Sequence, residues 1–231
     1  MKWRSLEESA PQAEARSLSE VYAERKQLIA KYVPAETQAI HLRVMDELKQ
    51  SEAASRALQP GSNVQPFELL KQDGKPIRSA ELLQQRPLVI CFIRGRWCPF
   101  CVGQMEAMNA IVPELQELRA SLVAISPQTV HQSYLMADQH KLRFPLLSDA
   151  GNEIAKQFGL VYRVPDYQQE IYKRVFVNLP FVNGDDKWGL PIPATYILGR
   201  DHEIVYARVN PDFTERPEPA EIVQFLTDLS E

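Results

Sequence analysis

Pro87-Leu88-Val89-Ile90-Cys91-Phe92-Ile93-Arg94-Gly95-Arg96-Trp97-Cys98-Pro99-Phe100-Cys101 is the stretch whose reading decides the fold. Leu88 to Ile93 is a continuous apolar run, rich in β-branched residues and bounded by Pro87 and Gly95. That is the pattern of a strand buried on both faces of a sheet. From Cys98 onward the period becomes helical. Val102, Met105, Val112 and Leu115 share one face, and Gln104, Glu106 and Glu114 lie off it. A strand therefore ends at Gly95, a short turn carries Trp97, and a helix begins at Cys98-Pro99, a position that suits proline because the first helical turn has no partner for its missing N–H.

The chemistry follows from that placement. A helix N-terminus presents unpaired N–H groups and partial positive charge. A thiol held there loses its proton more readily, and the thiolate is the reactive form. Arg94 and Arg96 add positive charge nearby. Cys98 and Cys101 are three residues apart, so both sulfurs lie on one side of the first turn and can meet. A thiolate that reacts with an oxidant then has a second thiol with which to close a disulfide.

Other uses of the motif fit less well. A CxxC pair is half of a zinc site, but zinc takes four ligands. Cys91, His41, His131, His140 and His202 are scattered at no ligand spacing. Haem attachment needs His after the second cysteine, where Val102 stands. Two structural cysteines on one turn are the remaining alternative, and the strand–turn–helix context favours redox chemistry over them. No metal or cofactor is expected. Cys91, inside the apolar strand, reads as a buried core thiol.

Composition sets the bounds. A chain of 231 residues with 45% apolar residues can fill a real core. Its net charge of -4 gives no basic field for nucleic acid. Three cysteines are no disulfide framework, which fits a reducing compartment. Met1 to Glu8 carries acids early and lacks the apolar core of a secretory signal. No apolar run reaches membrane-spanning length. The expected compartment is the cytoplasm.

Residues 1–59 read as an N-terminal helical extension and 60–231 as the main domain. Leu18, Val21, Tyr22, Leu28, Ile29 and Tyr32 keep helical spacing. Pro34 interrupts, and Ile40, Val44, Met45 and Leu48 resume it. The expectation is an amphipathic helical hairpin whose apolar face needs a partner, either the main domain or, preferentially, a second subunit in a homodimer. Phe67 to Leu70 and Pro76-Ile77 make a β-hairpin around Asp73-Gly74. Ser79 caps a short helix. Pro113 predicts a kink. Leu122 to Ile125 and Phe144 to Leu147 are strands. Thr129 to Leu142 is a helix with Tyr134, Leu135 and Ala137 inward, and Asn152 to Phe158 is another. Residues 161–190 read as an aromatic-rich insertion, with contact to the site left open. Ala194 to Leu198 and Glu203 to Val209 form a hairpin, and Pro217 opens a last helix with Ile222, Val223, Phe225, Leu226 and Leu229 inward. Strands alternating with helices and closed by a hairpin and helix make an α/β fold with a mixed sheet.

Trp97-Cys98-Pro99-Phe100-Cys101 resembles the redox motif of thioredoxins, and Ile192-Pro193-Ala194-Thr195 resembles the loop that carries a cis proline facing it. The larger pattern resembles the peroxiredoxin-like branch of the alkyl hydroperoxide reductase/thiol-specific antioxidant family. Arg94 to Cys101, Val123-Ala124-Ile125-Ser126-Pro127-Gln128, Phe144-Pro145-Leu146-Leu147-Ser148-Asp149 and Asn210-Pro211-Asp212-Phe213-Thr214 carry that resemblance. It implies a thioredoxin-like fold with a mixed central sheet flanked by helices, plus the N-terminal hairpin. Aligned through Pro99, it places Cys101 in the peroxidatic position, with Gln104 matching the Glu or Gln that follows. Cys98 stands where the family has Thr or Ser, Arg94 where it has Pro. The family's activating Arg before the hairpin is replaced by Pro191-Ile192-Pro193.

What the resemblance implies is a thiol peroxidase. Cys101 would attack hydrogen peroxide or an organic hydroperoxide, and Cys98 would resolve the sulfenic acid. A thioredoxin-like donor or a low-molecular-weight thiol would then reduce the disulfide. Trp97, Pro99, Arg94, Arg96, Gln104 and Pro193 would support the pair. The alternative is a thioredoxin-like disulfide oxidoreductase, in which Cys98 attacks substrate disulfides and Cys101 resolves.

Overall fold

The computed structural model describes residues 16–51, 55–84 and 87–230. The reading of Met1 to Glu8 lies outside them. The apolar run forms β3 (Leu88–Phe92), which is wholly buried. It pairs in parallel with β4 (Ser121–Ser126) and antiparallel with β8 (Ala194–Leu198). Outward from β4 come β5 (Leu146–Ser148), β1 (Glu68–Lys71) and β2 (Pro76–Arg78), and outward from β8 comes β9 (Ile204–Val209). The order is β2-β1-β5-β4-β3-β8-β9, a mixed sheet with β3 near its centre. This placement explains the uninterrupted hydrophobicity of Leu88 to Ile93, since both faces of β3 are covered. One face carries Val89 and Cys91 in a core with Met105, Leu115 and Ile222. The other carries Leu88, Ile90 and Phe92 against Phe158 and Tyr196.

Helices follow the sequence pattern with local differences. The helix after the motif spans Pro99–Ala110 (α4) and breaks at Ile111 before Val112–Glu117 (α5), as Pro113 requires. Thr129 caps Val130–Gln139 (α6) by accepting from the Gln132 N–H. Its buried face is Gln132, Ser133, Met136 and Ala137, while Tyr134 is exposed, contrary to the expected face. Ser79 is no cap: its hydroxyl accepts from the Phe67 N–H instead. In the last helix, Pro219–Ser230, Ile222 and Leu226 are buried and Leu229 is exposed.

The N-terminal helices, α1 (Leu18–Tyr32) and α2 (Ala35–Gln50), dock on the same chain. Leu18 and Tyr22 join the core with Phe100 and Met105, and Val44 and Leu48 pack with Tyr162, Tyr172 and Ile192. Each such side chain stabilises by about 1.5–3 kcal/mol gross. The apolar stripe is thus covered in part within the chain: Leu18, Val44 and Leu48 need no second subunit, while Val21, Leu28, Ile29 and Ile40 stay half-buried. Glu218, just before the last helix, receives the Leu18 and Ser19 N–H groups at 2.9 and 2.7 Å. That acid at a helix start satisfies two orphan donors and favours the dipole.

The insertion is ordered into a strand pair, β6 (Val161–Arg163) with β7 (Gly189–Pro191), and two helices, Asp166–Arg174 and Leu179–Asn183. Its aromatic pieces defeat a periodic reading because each element is under ten residues. Pro193 departs from expectation: every peptide bond among the described residues is trans. The chain runs extended from β7 into β8, with the Ile192 N–H donating to Leu160 O at 2.7 Å. No reversal occurs there that a cis bond would serve.

Candidate active site

Cys98 is the N-cap residue of α4 and Pro99 its first helical residue, as the sequence indicates. The turn before them depends on Gly95, whose φ is +141°. A Cβ there would stand 2.8 Å from Trp97 Nε1 and 3.2 Å from Gln128 Oε1. The Gly95 carbonyl receives the Cys98 N–H at 3.1 Å, which pins the start of the helix. Both Cys98 and Cys101 are free thiols and fully buried.

Two arginines serve the two thiols. Arg94, itself buried, donates from Nη2 to Cys98 Sγ at 3.1 Å and from Nη1 to the Tyr172 hydroxyl at 3.5 Å. Its guanidinium lies 3.8 Å from the Phe213 ring centre and 5.0 Å from that of Trp97. No carboxylate is paired with it among the described ion pairs. Burial works against its charge, but the Cys98 thiolate, Tyr172, Tyr162 and Cys101 hold its pKa well above the usual value. Arg216 serves Cys101. It donates from Nε to Gln104 Oε1 at 3.0 Å, and its Nη2 stands 4.0 Å from Cys101 Sγ. Gln104 in turn donates to Thr195 Oγ1 at 3.2 Å.

The consequence is an uneven pair. Burial pushes the Cys98 thiol up, but the neighbouring Cys101 thiol and the Arg94 and Arg216 guanidinium groups outweigh it and hold Cys98 well below the thiol range. Cys101 is held well above that range by burial and by the neighbouring Cys98 thiolate. Cys91, opposite Thr195 in β8, is pushed up by burial to about 12 and is inert, as its strand position indicates.

A pH dependence of stability follows. A depressed thiol pKa makes the unfolded state the better proton binder, so stability rises with pH. For Cys98 that rise runs from its folded pKa up to the unfolded thiol value of about 8.5. Above it the raised Cys101 and Cys91 reverse the sign, and stability falls. Urea denaturation of the dithiol protein across this range should show the rise and fall. Protein with Cys98 and Cys101 joined should lack the rise, and identical profiles for the two forms would contradict this electrostatic account.

The structure brings Arg94, Trp97, Pro99 and Gln104 around the pair, but not every expected residue. Arg96 turns away, its N–H donating to Gln128 Oε1 and its Nη1 to Gln132 Oε1. Pro193 lines a small polar cleft with Arg216, on the Cys101 side. The sequence does not single out Arg216, and it gives His41 no role. His41 is lowered to about 4 by burial and by Arg94, and it takes a 3.2 Å hydrogen bond with Gln168. Beside the thiols lies a largely apolar cavity of about 580 Å³. The α1–α2 hairpin, the Asp166–Arg174 helix and the loop Asp212-Phe213-Thr214 wall it, and Arg94, Trp97, Pro99 and Phe100 line its inner end. No group of three or more His, Cys, Asp or Glu that could hold a metal occurs among the described residues. No helix among them is long and apolar enough to cross a membrane.

A mixed sheet with a dithiol at the start of the helix that follows its central strand defines a thioredoxin-like redox protein. The model of the AhpC/TSA family matches residues 60–207. A putative peroxiredoxin of Mycobacterium tuberculosis is 35% identical over 103 residues, covering 45% of this chain and 67% of that protein. The chloroplastic peroxiredoxin Q of Sedum lineare is 32% identical over 100 residues, covering 43% and 53%. Among solved structures, a peroxidoxin from Mycobacterium tuberculosis superimposes with a TM-score of 0.60 at 23% identity, covering 75% of this chain and 99% of that one. That likeness shows the fold. The chain belongs to the AhpC/TSA family and is a peroxiredoxin-like thiol peroxidase. These relatives favour peroxide reduction over protein disulfide exchange. The family match begins at residue 60, so the hairpin that walls the cavity lies outside it.

Proposed function

We propose that Cys98 and Cys101 are the redox pair, that Cys98 attacks first, and that the substrate is an organic hydroperoxide with an apolar body. The resemblance implied the reverse order of the thiols. The observation that supports Cys98 is Arg94, a buried cation with no carboxylate partner among the described residues, placed 3.1 Å from Cys98 Sγ. Such a charge needs an anion, and the thiolate is the one beside it. The Cys98 thiolate attacks the terminal peroxide oxygen, the O–O bond breaks, and an alcohol leaves after protonation. The Cys98 sulfenic acid then condenses with Cys101, releasing water and closing the disulfide. A thiol reductant restores the pair. Arg94, once relieved of the thiolate, faces the developing alkoxide, where a fixed donor is most useful.

Stopped-flow oxidation of the reduced chain, read by Trp97 fluorescence, tests this. Cumene hydroperoxide should react about tenfold faster than hydrogen peroxide, because the apolar cavity gains only from the larger body. Rates no faster than free cysteine would remove the pair from the reaction. Arg216 tests the second step. It lowers the cost of ionising Cys101, so Arg216→Gln should lengthen the sulfenic acid lifetime about tenfold, with a smaller slowing of the first step because Arg216 also favours the Cys98 thiolate. Slowing confined to the first step would put Cys101 first, in the order the family frame implies.

A further inference from the structure

Both sulfurs are completely shielded, and the shield is built by three separate parts of the chain. On one side α1 clamps the first turn of α4: the Tyr22 hydroxyl donates to Phe100 O at 2.6 Å, and Arg25 donates to Pro99 O. Arg25 also lies against Gly103, where any Cβ would collide with it. On the other side the Tyr172 ring packs on Trp97, with 5.1 Å between ring centres. Phe213 closes the third side against Arg94. Thiol–disulfide exchange needs the attacking thiolate to reach a sulfur of the disulfide. A protein donor carries its thiol on a broad surface, and here that surface would meet α1 and the Asp166–Arg174 helix before it met sulfur.

We propose that the oxidised pair is reduced by a low-molecular-weight thiol entering through the cavity beside Arg94, and that the helical hairpin excludes a thioredoxin-sized donor. This rests on the reading of Cys98 and Cys101 as the redox pair. The cavity reaches Arg94, Trp97, Pro99 and Phe100, which flank the two sulfurs without exposing them, and at about 580 Å³ it has room for a small thiol one side chain away from Cys98. Charge gives that thiol a reason to enter. In the dithiol state the Cys98 thiolate balances Arg94. A disulfide is neutral, so oxidation leaves a buried guanidinium without an anion, and an incoming thiolate replaces it. Two buried donors, Arg94 Nε and Trp97 Nε1, also find no acceptor among the described residues. The steps balance. One thiolate attacks a sulfur of the pair, the protein S–S bond breaks, and the other cysteine leaves as thiolate with a mixed disulfide formed. A second thiolate attacks the small-molecule sulfur of the mixed disulfide. The products are the protein dithiol and the disulfide of the small thiol, so two thiols are oxidised for one disulfide reduced.

The test uses the full chain, oxidised with one equivalent of hydrogen peroxide and checked by mass for loss of two hydrogens across Cys98 and Cys101. It is then mixed with dithiothreitol, glutathione, or a thioredoxin kept reduced by its reductase. Dithiothreitol should exceed thioredoxin in second-order rate constant by about tenfold, a difference of about 1.4 kcal/mol in activation free energy. Tyr22→Phe with Arg25→Ala, which loosens the clamp, should raise the thioredoxin rate severalfold with no matching gain for dithiothreitol. A thioredoxin rate equal to or above that of dithiothreitol in the unmodified chain would overturn the proposal. A mass that shows no disulfide after peroxide would instead sink the reading of the pair on which it rests.

Discussion

Cys98→Ser is expected to lower the rate of peroxide consumption on the order of 10³-fold or more, since it removes the nucleophile itself. Cys101→Ser should behave differently. It should consume one equivalent of peroxide at close to the normal rate and then stop, with a persistent sulfenic acid on Cys98. The physical basis is the uneven ionisation of two equally buried thiols. Cys98 has the helix N-terminus, Arg94 at 3.1 Å and the neighbouring Cys101 thiol, all of which favour its ionised form. Cys101 has one guanidinium at 4.0 Å and a thiolate for a neighbour. A sulfenic-acid probe applied after one equivalent of peroxide separates the orders. Labelling in Cys98→Ser, and none in Cys101→Ser, would make Cys101 the attacking thiol and Arg216 its activator.

Arg94→Met should cost about 10²-fold in the oxidation rate, the scale for losing a fixed donor at a developing anion. It should also move the pH–rate profile to higher pH, because Arg94 favours the ionised form of Cys98 and its removal raises that pKa. The same change should leave the fold intact or make it more stable, since replacing a buried charge by an apolar side chain of similar size is often neutral or favourable. Arg94→Lys keeps a cation but not the fork that reaches both Cys98 and Tyr172. It should recover part of the rate. A drop in activity matched by loss of folding, with no shift in the pH profile, would mean that Arg94 acts only as packing.

What the sequence made legible was local. The buried strand, the glycine turn, the helix start at Cys98-Pro99 and the inert Cys91 all lie within fifteen consecutive residues, where period and turn chemistry decide the outcome. The break at Pro113 is local in the same sense. Arg216 was not legible because nothing near it in the chain signals that it folds back on Cys101, 115 residues away. It brings to Gln104 the charge that Pro191-Ile192-Pro193 does not provide. Tyr134 and Leu229 were misplaced for a related reason: helical spacing gives a face but not how far its cover extends. The hairpin stripe was read correctly as an apolar face, yet its partner could only be learned from the fold. Arg96 shows the converse, since closeness in sequence put it beside the thiols and Gln128 and Gln132 hold it elsewhere.

Glu218 joins the two ends of the fold by receiving the first N–H groups of α1, from Leu18 and Ser19, 200 and 199 positions away. The thiol site lies inside that closure, for its walls come from α1 and α2 at one end and from Phe213 and Arg216 at the other. Contacts so distant in sequence require the closure of long loops. Without that closure Cys98 and Cys101 lack the walls supplied by α1, α2 and Phe213, and Cys101 lacks the Arg216 guanidinium, although Arg94 is already close in sequence. The shelter of both thiols, and the Arg216 share of their proton affinities, therefore depend on contacts between distant parts of the chain. A chain that lacks those contacts keeps the motif but not its shelter.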